Sequence, residues 1–550
     1  MCYNKEKSKG YSDMEINVNS FGIRPNVNEE AGFAFNKAIE EAKKAGQSVN
    51  LTLEKGIYNF YTENAITRKY YISNTASEIE APDKTKHIGL FFDGAKNITL
   101  DCGGSTFIFH GKFTQIVFDN SENITVKNLV TDWSRPTMTE MTLIAKTDEY
   151  CDFEVNADCD FEIRDGRAIW VGRGFEYVSG PTQIVPRDKK TTRRVNGLGY
   201  DNAEQIAERT IRFYNCSLKD FEIGDIAQVR DGIRDEVGFF AVNSKNITFE
   251  NVTTHYMHGL GFVGQFTENI TLDNFNTIPN AEKGRTCSCF ADSIHISGCK
   301  GKVAVKNGHF DGTHDDIMNV HGTDLPITEI LGENKVKVRF SHNQTYGFKA
   351  FYEGDKIVFI DEKTLLPLGY GKIAAAEMLS EREMALTTEE PLPCGVKEKT
   401  AIDNLTWQPE VLFENNVIKR DPTRGILLSS GGKTVVKNNR FIQTNMSAIL
   451  IAFDARSWYE SGKVNDVLIE DNVFEECNGP VILIEPETNE FEDGRYVHEN
   501  IRIKNNKFIL SDNRILSAKS TDGLVFEENE IVSDSEPKFE TVHCANVKIN

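Results

Sequence analysis

A short strand pattern recurs along this chain and limits the folds that the chain can adopt. Each copy is an alternating run such as Ile247-Thr-Phe-Glu-Asn251, and most copies end at Asn. The ends of aligned copies are most often 23 residues apart, and the longer intervals include several near 33. A 23-residue unit is too short for a strand-helix pair, but it suits three short strands joined by turns. The repeat therefore predicts an all-β protein, a right-handed parallel β-helix built from stacked coils.

The Asn residues at the ends of the repeats have a structural interpretation. Side-chain amides stacked at one corner of a β-helix can form a ladder along its axis and satisfy the polar groups of the turns. Several sequons, at Asn97, Asn123, Asn246 and Asn269, fall inside the same strand pattern. We interpret these sequons mainly as a consequence of the strand pattern, and not as glycosylation sites.

A single amphipathic helix is predicted ahead of the repeats. Asn28 is placed to cap its start, Gly46 to end it, and apolar residues between 35 and 42 follow helical spacing. A solenoid needs a cover over its exposed apolar end. We therefore expect an N-terminal capping helix.

Two intervals interrupt the repeat and are predicted to be inserted β domains, each a small barrel or sandwich. Alternating runs such as Lys335-Val-Lys-Val-Arg-Phe340 indicate strands in the second interval, and Thr210-Ile-Arg-Phe-Tyr214 indicates one in the first. We expect the insertions to wall a cleft beside the coils that lie between them. The predicted segments are 1–138 (cap and first coils), 139–235 (first insertion), 236–322 (catalytic coils), 323–405 (second insertion) and 406–550 (C-terminal coils).

Three carboxylates mark the candidate site. Asp292 precedes Asp315 by 23 residues and Asp316 by 24, which places them on neighbouring coils about 4.8 Å apart. A register of 24 sets Ile294 over Met318 and Asp292 over Asp316. Strict alternation would then bury Asp292 and Asp316, so we expect both at the corner before the strand. A general acid beside one or two bases is what glycoside hydrolysis requires, and crowding favours one protonated carboxyl.

Other interpretations of these acids are a turn, a solvated edge or a calcium site. Neighbouring histidines are poor calcium ligands, so no metal and no organic cofactor is predicted. Cys287, Cys289 and Cys299 lack the paired spacing of a zinc site, and we expect buried or free thiols.

Composition narrows the range of partners. The net charge of -21 disfavours nucleic acid, which requires a basic surface, and it also disfavours a polyanionic substrate unless a local basic patch is present. No apolar run reaches the length of a membrane span and no signal peptide is visible. Cys2 is a candidate lipid-anchor cysteine. We expect a glycan substrate and a bacterial periplasmic or cell-surface location, and the sequence allows a homo-oligomer.

The motifs Asp292-Ser-Ile-His-Ile-Ser-Gly298 and Asp315-Asp-Ile-Met-Asn-Val-His-Gly322 resemble those of glycoside hydrolase family 110, the bacterial exo-α-1,3-galactosidases. The segment His255-Tyr-Met-His-Gly-Leu-Gly-Phe262 is similar in part. The resemblance implies inverting hydrolysis of terminal α-1,3-linked galactose, as in blood-group B or linear α-galactosyl glycans. It implies that Asp292, Asp315 and Asp316 share the acid and base roles, with Asp315 as acid. The candidate sugar contacts are His295, Asn319, His321, Arg234, Arg424, Trp458 and Glu485.

Two alternatives remain at this stage. A polygalacturonase or polysaccharide lyase of the same fold would require a basic groove, and the Arg-Ile-Lys of polygalacturonases has no clear counterpart in Thr423-Arg-Gly-Ile-Leu-Leu428. A non-catalytic carbohydrate-binding β-helix would have no use for three adjacent acids.

Overall fold

The computed structural model describes residues 14–195, 201–214, 216 and 221–550. Cys2, and with it the expectation of a lipid anchor, lies outside the described residues. Among those described, no helix is long and apolar enough to cross a membrane.

Three ladders of parallel strands form a β-helix, which confirms the predicted fold class. Two ladders share the long strands near the N-terminus and form one 20-stranded sheet, and the third belongs to a 13-stranded sheet. The strands of the larger sheet are Met14–Asn17, Val49–Thr52, Ile57–Tyr61, Lys96–His110, Glu122–Trp133, Lys245–Thr254, Glu268–Thr277, Lys300–Lys306, His309–Asp311, Glu410–Glu414, Val417–Asp421, Thr434–Lys437, Arg440–Thr444, Val467–Glu470, Val473–Glu475, His498–Lys504, Lys507–Leu510, Thr521–Glu527, Glu530–Ser533 and Lys548–Ile549. Those of the smaller sheet are Ile66–Lys69, Thr85–Asp93, Thr114–Asp119, Val237–Val242, Leu260–Gln265, Ile294–Ser297, Met318–Thr323, Ile426–Ser429, Ile449–Phe453, Glu460–Ser461, Ile482–Pro486, Arg514–Lys519 and Lys538–Val542.

The interior of the coils is filled by stacks of identical side chains. Phe441, Phe474 and Phe508 occupy the same position in three successive coils, with ring centroids 5.1 and 4.9 Å apart. All three are fully buried. Stacking like on like is possible because equivalent residues of neighbouring parallel strands lie directly above one another. Each coil therefore buries its apolar face against the next coil.

Asn residues form ladders, as the repeat predicts. At the outer corner, Asn274 donates from its amide to Asn251 (2.9 Å) and Asn251 donates to Asn128 (3.2 Å). Each of these residues has a positive φ, a conformation that Asn tolerates better than most residues do. The sequon residues Asn246 and Asn269 are joined in the same way, at 2.8 Å. These amides therefore hold the turns in place.

A second Asn ladder, absent from the sequence analysis, lies inside the C-terminal coils. Asn439 accepts from the backbone and side-chain nitrogens of Asn416 at 2.8 and 3.1 Å. Its own two nitrogens donate to Asn472, and its amide also donates to the Phe413 carbonyl at 2.9 Å. The ladder continues through Asn506. Each of its residues, Asn416, Asn439, Asn472 and Asn506, is 1% exposed. It satisfies turn groups that no water reaches.

The capping helix is α1, Gly32–Lys44. Its inward face is apolar and fully buried, as predicted. Asn28 is not its N-cap, which corrects the sequence-based prediction. The Glu30 carboxylate instead accepts from the Gly32 and Tyr61 backbone nitrogens, so it secures the first turn from two positions closer to the helix than Asn28. Short 3₁₀ helices occur at Val18–Phe21, Thr62–Asn64, Ala281–Lys283 and Leu405–Trp407.

Two β units interrupt the coils. The first has a seven-stranded sheet and a three-stranded sheet, and the second is a closed six-stranded barrel. The strands of the first are Thr139–Lys146, Tyr150–Val155, Asp160–Arg164, Arg167–Gly172, Phe175–Tyr177, Thr182–Val185, Arg193–Val195, Ala203–Ala207, Thr210–Tyr214 and Ile226–Val229. Those of the barrel are Leu325–Gly332, Lys335–Arg339, Lys356–Ile360, Pro367–Met378, Glu383–Thr388 and Ala401–Asn404.

We expect Asn439→Ala to destabilise the protein strongly. The change leaves the Asn416 backbone nitrogen buried without its partner, and it removes the Asn439 contacts of Asn416 Nδ2, which keeps the Val305 carbonyl, and of the Phe413 carbonyl. A buried group left unpaired costs about 1–3 kcal/mol. Its neighbour Asn438 is exposed with φ 56°, so Asn438→Gly is the matched control and should shift stability by less than about 0.5 kcal/mol. Chemical unfolding of both variants measures the difference. Equal stability would show that the inner ladder contributes nothing.

Candidate active site

The candidate site lies on the third ladder, at the corner before two adjacent strands. Ile294 pairs with Met318 and His295 with Asn319, so the predicted register of 24 is confirmed. Asp292 and Asp316 precede these strands, each between two bend residues, so the alternation of the strand does not apply to them. The Ser293 backbone nitrogen donates to the Asp316 backbone carbonyl at 3.0 Å, and this hydrogen bond joins the two corners.

The carboxyl groups of Asp292, Asp315 and Asp316 converge. One oxygen from each lies within 4.8 Å of the others. The side chain of Asp292 is 7% exposed and that of Asp316 2%, whereas that of Asp315 is 23% exposed. The spacing is shorter than the 6.5–9.5 Å between carboxyl groups that is typical of inverting glycosidases. Three acids therefore share one patch, with Asp315 the most accessible.

Arg424 holds Asp316 from the next coil. Its Nη2 donates to Oδ2 at 2.8 Å and its backbone nitrogen to Oδ1 at 3.1 Å. Burial raises the pKa of Asp316 to about 6, against the lowering effect of Arg424. The same contact raises the pKa of Arg424, which stays charged.

Asp292 faces a histidine on its inner side. Its Oδ2 lies 2.9 Å from His295 Nδ1. Burial, followed by the nearby Asp315 charge, raises the pKa of Asp292 to about 7. Asp292 is therefore suited to exchange a proton near neutral pH.

Asp315 has the opposite electrostatic environment. Burial alone would raise its pKa, but four arginines, beginning with Arg194 and Arg230, hold it below the usual value. Arg194 Nη2 lies 3.1 Å from Asp315 Oδ1. In the free protein the protons thus favour Asp292 and Asp316. This order is the reverse of what the sequence-based assignment of Asp315 as the acid requires.

The carboxyl groups open onto a cavity of about 200 Å³. Its walls come from several parts of the chain, and both insertions contact residues that line it. Arg194 of the first insertion lies 3.1 Å from Asp315. In the second insertion Gln344 accepts from Arg234 at 2.5 Å, and His342 lies against Trp458 with ring centroids 4.3 Å apart. The lining residues are Asn74, Arg234, Asp292, Asp315, Asp316, Asn319, Arg424, Leu427, Ser429, Leu450, Ala452, Asp454, Trp458, Glu460 and Glu487.

Four of the predicted sugar contacts, Arg234, Asn319, Arg424 and Trp458, line this cavity. Three do not. His295 and His321 are at most 1% exposed and lie behind the carboxyl groups, because the corner and neighbouring loops cover their face of the strand. Glu485 lies in the strand Ile482–Pro486 and pairs with Lys519. Glu487, two residues later, lines the cavity instead. The prediction that these three contact sugar is wrong for this cavity.

Glu460 is the main residue that the sequence analysis missed. Its short strand, Glu460–Ser461, pairs antiparallel with Gly322 and Thr323 and brings the carboxylate over the site. Asn74 donates to it at 2.6 Å and Asn319 at 3.2 Å. Arg194, Asn74 and Asp454 were missed as well. Arg194 lies on an edge strand of the first insertion, Asn74 in a loop, and Asp454 directly after the coil strand Ile449–Phe453, so the repeat of strand-end Asn residues marks none of them.

Clustered acids also suggest a cation. Within the described residues these three Asp form the one group of His, Cys, Asp or Glu close enough to share a metal ion. Arg424 and Arg194 already neutralise two of them, which disfavours a further cation. The predicted buried thiols are confirmed, since Cys287, Cys289 and Cys299 are free and at most 1% exposed.

Two family models match parts of this chain. Residues 335–402 match the family model of the GLAA-B beta-barrel domain II, and residues 402–531 match that of a right handed beta helix region. An exopolygalacturonase from Thermotoga maritima has a TM-score of 0.43 and 13% identity over 98% of this chain and 92% of its own.

Curated relatives extend over nearly the whole length. The chain is 39% identical to alpha-1,3-galactosidase A of Bacteroides thetaiotaomicron, over 93% of this chain and 91% of the relative. It is 32% identical to alpha-1,3-galactosidase A of Streptomyces avermitilis, over 94% and 87%. The chain therefore belongs to the α-1,3-galactosidase family of glycoside hydrolases.

Proposed function

We propose that this enzyme releases terminal α-1,3-linked galactose from glycans, as in blood-group B or linear α-galactosyl structures, with inversion at the anomeric carbon. The observation that carries the proposal is the group of three carboxyls at the cavity. The pKa of Asp292 is raised to about 7 and that of Asp316 to about 6, while that of Asp315 is lowered, so near neutral pH the cluster can hold one proton beside ionised carboxylates and can supply both an acid and a base. A structural or purely binding β-helix has no need of such a group.

The size of the cavity supports exo action. About 200 Å³ is below the 300–1,000 Å³ that is typical of sites for drug-sized ligands, and it suits one terminal sugar. Trp458 is 42% exposed at its edge and offers a flat apolar face to a pyranose ring. A single sugar would therefore enter, and the remainder of the glycan would stay outside.

The charge of the lining favours a neutral sugar. Six acids face the cavity, and two arginines, Arg234 and Arg424, oppose them. Arg424 is already paired with Asp316. A uronate would meet net negative charge, so the polygalacturonase alternative is disfavoured.

Roles follow from depth in the cavity. Asp315 is the most exposed carboxyl and can reach the glycosidic oxygen of the leaving group. Asp292 and Asp316 lie deeper and hold the attacking water. Water oxygen attacks the anomeric carbon, the glycosidic bond breaks, Asp315 gives its proton to the leaving oxygen, and a water proton passes to Asp292. The three groups titrate as one unit and share one proton in the active form. When the sugar excludes water and separates Asp315 from Arg194, this proton moves from Asp292 to Asp315, which leaves Asp292 able to accept the proton of the attacking water.

We expect β-galactose to be the first product. Proton NMR during digestion of the branched blood-group B trisaccharide separates the anomers before mutarotation. The nearest carboxyl oxygens lie closer together than is typical of inverting enzymes, and a short spacing is typical of retaining ones. The anomer released first therefore decides between inversion and retention. Early α-galactose would show retention and would contradict the proposed roles. If the branched trisaccharide is not cut, linear α-1,3-galactosides are the next substrates to test.

We expect Asp315→Asn to lower kcat/KM by about 10²–10⁴-fold, since an amide cannot donate the proton. The control is Asp148→Asn, which changes an exposed residue between two strands of the first insertion that does not line the cavity. Both variants should melt close to the parent temperature. Unchanged hydrolysis by Asp315→Asn would remove this residue from the reaction.

We expect the alkaline limb of the kcat/KM profile near pH 7. The pKa of Asp292 is raised to about 7, so above that pH the cluster loses its last proton and the rate falls about tenfold per pH unit. Initial rates on one α-1,3-galactoside between pH 4 and 9 measure it. An alkaline limb that stays flat to pH 9 would show that no group of the cluster acts as the acid.

A further inference from the structure

A buried chain of hydrogen bonds leads from Asp292 away from the cavity. Asp292 Oδ2 lies 2.9 Å from His295 Nδ1, and His295 Nε2 lies 3.0 Å from His321 Nε2. At the far end, His321 Nδ1 lies 2.5 Å from the Gly322 carbonyl oxygen. Both rings are at most 1% exposed. The chain thus joins a carboxyl of the site to a fixed backbone acceptor.

Counting protons shows that this chain is one short with neutral rings alone. The carbonyl can only accept, so His321 Nδ1 must carry a hydrogen. The contact between the two rings requires a second proton, and the contact with Asp292 a third. Two neutral imidazoles supply two. The third proton is therefore either on Asp292 or on one ring as an imidazolium.

The surroundings place this third proton on Asp292. Burial, together with the neighbouring His321, holds the pKa of His295 well below its usual value, which disfavours the imidazolium. Glu460 Oε1 is 3.7 Å from His321 Nε2, too far for a hydrogen bond, and the Glu460 carboxylate accepts from Asn74 and Asn319 instead. The other charges that face Asp292 have opposite effects on its protonation. Its ionised form is favoured by Arg234 and Arg424, and its protonated form by Asp315, Asp316 and Glu460.

We propose that His295 and His321 are positioning residues that keep a proton on Asp292 in the free enzyme and make this carboxyl a stronger base during hydrolysis. When Asp292 loses its proton, His295 must turn its hydrogen to Nδ1 and His321 must carry its hydrogen on Nε2. The Gly322 carbonyl oxygen then faces a bare nitrogen at 2.5 Å, so two acceptors oppose each other and the hydrogen bond between them is lost. Reprotonation of Asp292 restores all three hydrogen bonds.

This arrangement suits the step in which water attacks. The inference rests on the proposed role of Asp292 in holding that water. As the oxygen of water bonds to the anomeric carbon, its proton passes to Asp292 and completes the chain. The two rings carry no net charge before or after, so no imidazolium has to be buried.

The test is difference infrared spectroscopy between pH 5 and 9, without substrate. We expect a carboxylic C=O band that disappears with a midpoint near pH 7 and is absent in Asp292→Asn. In His321→Phe the chain is cut, His295 donates from Nδ1 to the Asp292 carboxylate, and the midpoint should fall by about one unit or more. The alkaline limb of kcat/KM should move by the same amount, which is about a tenfold loss of rate on that limb. His498→Phe alters a buried histidine of a C-terminal coil and is the control, with no shift expected.

Asp316, with a pKa raised to about 6, gives a separate band that Asp292→Asn retains. Two outcomes would overturn the inference: a band with its midpoint near pH 7 that survives in Asp292→Asn, or an unchanged midpoint in folded His321→Phe. If His321→Phe does not fold, nitrogen-15 spectra of the parent decide the question. Neutral rings with hydrogens on His295 Nε2 and His321 Nδ1 below pH 6 support it, and an imidazolium signal contradicts it. If no galactoside is cut, the proposed function fails, but the infrared band still decides whether the chain holds the proton.

Discussion

The parallel register between neighbouring coils is the constraint on which the site depends. Ile294 opposite Met318 fixes Asp292 above Asp316, because strands one coil apart can shift only by moving every apolar residue out of the core. Burial of the stacked side chains therefore stabilises the register, and the register sets the distance between the carboxyls. Carboxyl groups that repel one another are held close by the packing of the whole solenoid, and not by attraction between the carboxyls themselves.

Repulsion within the cluster is offset by cations from outside the repeat. Arg194 comes from an edge strand of the first insertion, Arg234 follows that insertion, and Arg424 comes from the next coil. Arg424 meets Asp316, and Arg194 meets Asp315. Because Arg424 contacts Asp316 and Arg194 contacts Asp315, while neither contacts Asp292, the three acids keep different affinities for a proton. The insertions thus contribute to the electrostatics of the site as well as to its walls.

The sequence analysis predicted the features that follow from the repeat. The coil length, the corner position of the two stacked acids and the outer Asn ladder all follow from spacing. The inner ladder around Asn439 did not, since its residues lie one position after the repeat Asn and resemble ordinary turn residues. Glu460 and Asn74 were missed because their loops have no period, and the exposure of His295 was misjudged because alternation gives the side of a strand but not what covers it.

Burial of His295 and His321 also changes what these residues can do. A histidine on the cavity wall could bind a hydroxyl of a sugar, whereas a histidine at zero exposure can act only through the groups it touches. The ring of His295 touches Asp292 on one side and His321 on the other. The direction of the chain is set by its far end, because a carbonyl oxygen cannot give a proton. Such a chain transmits a preference for protonation from the backbone of one coil to the carboxyl of another, and the same stacking that builds the core therefore also sets the proton affinity of the site.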